Sequence, residues 1–139
     1  MPFPQIDYLI ICDDIRPEKL NKFSLMGLYG VAPHVMILLK EFGKPVDRMT
    51  FMLSGEAGGG NHTVAARILD PDGQSILQFP ETPLELGDPQ PGRRGQITFS
   101  AGGITFAKPG KHTFEFVVDG RQHYRNTFSV GEGTDKDFQ

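Results

Sequence analysis

The stretch Lys111-His-Thr-Phe-Glu-Phe-Val-Val-Asp-Gly-Arg-Gln-His-Tyr-Arg-Asn-Thr-Phe-Ser-Val130 decides the fold class, because two alternating runs flank an Asp-Gly pair. It predicts a β-hairpin, and parity then selects its turn, since a one-residue slip sends every side chain to the opposite face. A two-residue turn at Asp119-Gly120 would set Phe116 against His123 and Phe114 against Arg125, mixing apolar and charged residues on one face. A three-residue loop, Val118-Asp119-Gly120 with Gly120 left-handed, pairs Val117 with Arg121, Phe116 with Gln122 and Phe114 with Tyr124. This second register is the expected one. It predicts a core face of aromatics and an exposed face on which Glu115 lies opposite His123, with Thr113, Arg121 and Arg125 around it.

Working outward, 17 Gly and 11 Pro beside 11 Phe in 139 residues are too many breakers for a helical protein and enough aromatic bulk for a sandwich core. The length fits one domain, which buries roughly two-thirds of the surface of its unfolded chain. The expected division is a β-sandwich over residues 1–130 and a polar, frayed tail over 131–139. A single cysteine, Cys12, excludes an internal disulfide. The start Met-Pro-Phe-Pro-Gln-Ile-Asp carries no basic region followed by an apolar run, so the cytoplasm is the expected compartment. The longest apolar run, Val35 to Leu39, falls far short of the roughly 20 residues a membrane helix needs. With a net charge of −3 and scattered basic residues, nucleic acid is set aside as a partner, as is a membrane.

Ile6, Tyr8, Ile10 and Cys12 alternate with Asp7, Leu9, Ile11 and Asp13, so a first strand should end at Asp13-Asp14. A polar connection, with a helical turn around Pro17 to Leu20, returns into Phe23-Ser-Leu-Met-Gly-Leu-Tyr-Gly30. Strands are expected at Val35 to Lys40, Arg48 to Leu53, Thr63 to Ile68, Ser75 to Phe79 and Gln96 to Ser100. Ser54 to Asn61, rich in glycine, should be a mobile loop. The four prolines between Pro80 and Gly95 predict an irregular connection with at most a short strand at Leu84 to Leu86.

Leu69-Asp-Pro-Asp-Gly73, Lys108-Pro-Gly-Lys-His-Thr-Phe-Glu-Phe-Val-Val-Asp-Gly120 and the opening strand with Phe23 to Gly30 resemble an uncharacterised family of small bacterial single-domain proteins. The resemblance implies an immunoglobulin-like sandwich and no activity. Gly110-Lys-His-Thr-Phe114 is also similar to the stretch that begins strand F of immunoglobulin domains, with His112 where a tyrosine is usual and Phe114 where a disulfide cysteine would stand. The fold class expected is therefore all-β, an immunoglobulin-like sandwich of two antiparallel sheets.

Candidate chemistry is sparse. His34, His62, His112 and His123 are not at metal-ligand spacing, and Cys12 sits on an apolar strand that argues for a small buried hydrophobe. Gly55 to His62 lacks the Lys-Ser/Thr of a phosphate loop and lies between strands. No catalytic, cofactor or metal residues are assigned. The one candidate contact face is Glu115, Arg121, His123 and Arg125. These observations predict a non-catalytic binding or protein-interaction module with a protein partner or a second copy of itself. The alternative is a small-molecule or carbohydrate-binding sandwich, or a hydrolase, using the 55–62 and 80–95 loops with His62, Asp13 or Asp14.

Overall fold

The computed structural model describes residues 4–138. Alternating sequence becomes eleven strands: β1 (Gln5–Pro17), β2 (Phe23–Val31), β3 (Met36–Leu39), β4 (Pro45–Val46), β5 (Met49–Glu56), β6 (Asn61–Leu69), β7 (Ser75–Glu85), β8 (Arg94–Ala101), β9 (Ile104–Thr105), β10 (Gly110–Val118) and β11 (Arg121–Glu132). Among the described residues the helical turns are both short 3-10 segments, so the protein is all-β. One sheet has the order β2-β1-β5-β8 and the other β3-β11-β10-β6-β7, with β4-β9 as a two-stranded pair. The second sheet carries one parallel ladder, β3 on β11.

The period of two along each strand builds the core between these sheets. Leu9, Ile11, Phe51 and Leu53 from one sheet meet Ile68, Phe114, Phe116 and Phe128 from the other, all fully buried. Phe51 stacks on Phe114 with ring centroids 5.0 Å apart, and Phe99 meets Phe116 edge-on at 6.0 Å. Burying each such ring contributes about 2–3 kcal/mol.

The 111–130 stretch is a hairpin, but its turn is the two-residue one. Val118 pairs with Arg121, and Asp119 (φ 51°) and Gly120 (φ 79°) both take left-handed backbone, as a type I′ turn requires. A bulge then repairs the parity. The register steps between Phe116 and Val117, so that Phe116 faces Tyr124 and Glu115 faces Arg125, leaving His123 as the extra residue. The aromatic core face is as expected. The opposite face is not exposed throughout, because Glu115 is only 4% accessible.

Several boundaries move for identifiable reasons. β1 passes Asp13-Asp14 and runs to Pro17 because the first half of β2 pairs with it there, Pro17 opposite Phe23. Between them Lys19–Asn21 form a 3-10 turn, with Leu20 left-handed at φ 62°. β7 continues through Pro80 and Pro83 to Glu85, since as an edge strand it needs ladder donors on one side only. The glycine loop shrinks to residues 57–60 and is held from outside. Arg93 Nη2 donates to the Gly58 carbonyl at 3.1 Å, and the Gly60 and Leu86 amides bond the carbonyls of Gly87 and Gly60. At the far end β11 reaches Glu132, and Gly133 N–H donates to the Leu39 carbonyl.

Candidate functional site: a charged hollow and an open edge

The four hairpin residues do not share one face. Glu115 lies between Arg67 on β6 and Arg125 on β11, its partners across the two ladders. Arg67 donates from Nε and Nη2 to the same oxygen, Oε1, each at 2.8 Å, so the buried carboxylate is paired and oriented. Above it the outer surface is concave. A hollow of about 560 Å³ is lined by Ala65, Arg67, Gln78, Glu81, Glu115 and Gln122, and the short Ala65 side chain leaves its floor open. Arg121 is exposed at the turn. The bulge turns His123 away from this hollow: its ring meets Phe116 edge-on at 6.1 Å, and Nε2–H donates to the Pro4 carbonyl.

His62, Asp13 and Asp14 are not brought together. β1 and β5 run antiparallel with Gln5 at Glu56 and Cys12 at Thr50, so the two aspartates sit at the opposite end of β5 from the loop that leads to His62. His62 is buried and donates from Nδ1 to Asp119 Oδ2 at 2.8 Å and from Nε2 to the Gly59 carbonyl at 2.7 Å. Both partners accept, and the ring's pKa is raised chiefly by the Asp119 hydrogen bond against the opposing effect of burial. With both ring nitrogens engaged, neither is presented to a substrate as a base. In turn His62, with the Thr63 N–H, holds the Asp119 carboxyl below the usual range.

At the other end Asp14 pairs with Arg48 at 3.3 Å, and burial together with a hydrogen bond to Asp13 pushes the Tyr29 phenol up to about 12. Cys12 is fully buried, and burial pushes its thiol pKa up, with Asp13 and Asp14 adding to the shift. A thiol in that state is a poor nucleophile. Among the described residues no three His, Cys, Asp or Glu side chains converge as a metal site. Where the 57–60 loop meets the chain after β7, Ile6, Leu53, Leu84, Leu86 and Ile97 line an apolar cavity of about 50 Å³. Sites that enclose a ligand start at roughly 300 Å³.

The feature that the alternation did not reveal is where exposed apolar bulk collects. Among the described residues eight large apolar side chains are exposed: Tyr8, Leu20, Phe23, Met26, Leu28, Val31, Met36 and Leu38. Six of these lie on β2 and β3, consecutive in the chain and at the edges of different sheets. The other two edges differ. β7 carries Pro80, Glu81, Pro83 and Glu85, and the outward residues of β8 are Arg94, Gln96, Thr98 and Ser100.

Residues 7–131 match the model of a family of unknown function, DUF6941. The chain belongs to this family. No curated protein matches it. Among solved structures, the DUF6941 chain is similar to Pseudomonas fluorescens alkylpurine DNA glycosylase AlkC bound to DNA containing an abasic site analog. Identity is 16%, with 70% of this chain and 29% of that chain covered and a TM-score of 0.42. This chain thus spans under a third of that protein's length, and a likeness of that degree assigns it neither activity nor ligand. The partner expectation that set nucleic acid aside is nevertheless corrected to an open one, because it rested only on a net charge of −3 and on scattered basic residues. Net charge measures the long-range attraction for phosphates and leaves a local contact undecided. Among the described residues no helix is long and apolar enough to cross a membrane.

Proposed function

We propose that this member of DUF6941 is a non-catalytic binding module, with residues 1–130 acting as one immunoglobulin-like domain of the bacterial cytoplasm and 131–139 as its tail, whose first two residues complete β11. One observation carries the reading: exposed apolar side chains are concentrated on β2 and β3, while the opposite edges are polar or proline-bearing. Single exposed apolar residues need no explanation, but six on two consecutive edge strands mark a surface that is covered in use. The engaged nitrogens of His62 and the buried, raised-pKa Cys12 speak against the hydrolase alternative. The test is a photo-crosslinking residue placed at Leu28 or, for comparison, at Glu81 on β7, with irradiation in the cells that make the protein. A discrete adduct from position 28 and none from position 81 is the expected result. Equal yields from the two positions, or none from either, would overturn the reading.

A second reading, binding of a small polar ligand, is favoured by the 560 Å³ hollow. Glu115 stands at its floor with both Arg67 hydrogen bonds on one oxygen, and Arg125 and Arg121 follow along the hairpin from which His123 turns away. Ligand-observed NMR against a set of amines and sugars tests it. Signals lost on Glu115→Gln support it, and silence across the set removes it.

A further inference from the structure

We propose that β2 receives an extended apolar segment of a partner protein as an added strand along its outer edge. The proposal rests on the binding-module reading and names the mode and the class of partner. Among the described residues β2 pairs with β1 alone, so its other side presents a row of backbone N–H and C=O groups without ladder partners.

Edges are ordinarily blunted by proline, charge, shortness or a β-bulge. β7 has its prolines and glutamates, β8 begins with Arg94, and β3 is four residues long. Of these devices β2 has only the bulge, the extra residue Tyr29 beside the left-handed Gly27. Its nine residues, Phe-Ser-Leu-Met-Gly-Leu-Tyr-Gly-Val, contain neither charge nor proline. The side chains add a second requirement. Met26 pairs with Asp14, Leu28 with Cys12 and Val31 with Ile10, which places all three on the outer face of the sheet, exposed beside the half-buried Ile10. A strand added to β2 lays every second side chain on that face, next to Met26, Leu28 and Val31. The segment that fits is therefore extended and apolar at alternate positions, the strand-addition mode of recognition. A second copy of β2 fits less well. Gly27 is left-handed at φ 63° and Tyr29 is an extra residue against β1, so an antiparallel copy would oppose two irregular stretches, whereas a separate segment adapts to one.

The test uses the whole protein and short random peptides displayed on phage. Selected peptides should show apolar residues at alternate positions and should slow hydrogen exchange at β2 amides. Blocking one alternate set of peptide amides by N-methylation should abolish binding, while blocking the other set is tolerated. Leu28→Asp should weaken binding about tenfold or more at an unchanged melting temperature. Peptides insensitive to N-methylation, protection confined to other strands, or failure to select any peptide would overturn strand addition. So would sedimentation showing two copies that Leu28→Asp separates. In each of those cases a Leu28 crosslink that Glu81 does not give leaves the binding-module reading standing, and loss of that contrast removes it independently.

Discussion

Two histidines with the same ordinary pKa are shifted in opposite directions by their neighbours. His112 lies edge-on to Phe106 at 5.1 Å and stacked on Phe128 at 5.7 Å. Its Nδ1–H donates to the Gly110 carbonyl at 3.0 Å, and Nε2 is buried with no hydrogen-bond partner among the described residues. Burial is the main cause that lowers its pKa below 6.5, which favours the neutral ring in the fold. The unfolded chain then binds the extra proton as pH drops past 6.5, and the stability that neutral His112 contributes is lost in that direction. His62 has the reverse sign. Its folded pKa lies above 6.5, so its contribution is fully present below 6.5 and disappears as pH rises through the folded value. Asp119, lowered below 3.8, contributes above that value and loses it as pH falls through its folded pKa. Asp119→Asn should accordingly bring the His62 titration down toward 6.5. It should also destabilise the protein at pH 6, by an amount that shrinks as pH rises through the parent His62 pKa. Histidine NMR titrations with denaturant melts at each pH check both, and an unmoved His62 titration would show that the ion pair is not the cause. Of these two sites His112 was legible in sequence, two residues before the core residue Phe114. His62 was not, since its carboxylate partner lies 57 residues further on.

At the scale of elements, alternation counts residues and cannot see one that steps out of the ladder. Parity alone therefore favours the three-residue loop, whereas His123 restores the aromatic face after the two-residue turn that the hairpin actually makes. The left-handed Gly120 holds under either register. A Cβ there meets no atom within 4 Å, so Gly120→Ala costs only the backbone conformation, about 1 kcal/mol by denaturant melt. Gly27 is the contrasting case. It also has positive φ, 63°, but an added Cβ would sit 2.1 Å from Asp13 Oδ2. Gly27→Ala should cost more than Gly120→Ala, roughly 2–3 kcal/mol, and in the Asp13→Ala background the excess should fall while the conformational part persists. A cycle with no coupling between positions 13 and 27 would refute the clash. Proline misled in the other direction. Pro80 and Pro83 predict a loop in any central strand, and only the knowledge that β7 is an edge, which comes from long-range pairing, makes them compatible with it.

For the molecule as a whole, the two classes of apolar surface should separate by what their removal costs. Phe51 touches both sheets: it stacks on Phe114 at 5.0 Å and contacts Phe128 at 5.9 Å and Phe79 at 6.4 Å. Truncating it opens a cavity at the junction, and such a change costs about 3–5 kcal/mol. That is a large part of the roughly 5–15 kcal/mol that holds a domain folded. Leu28 is 57% exposed on β2, at the edge of the sheet opposite Cys12. A surface change of that kind stays within about 0.5 kcal/mol. Phe51→Ala should therefore shift the urea midpoint far below the parent, while Leu28→Asp leaves it in place. The contrast decides whether the apolar bulk on β2 belongs to the fold or to recognition. If Leu28→Asp lowers the midpoint as Phe51→Ala does, the outer face is part of the structural core and its exposed residues need no partner. If the midpoint holds while peptide binding is lost, the free energy stored on that edge is spent on recognition alone.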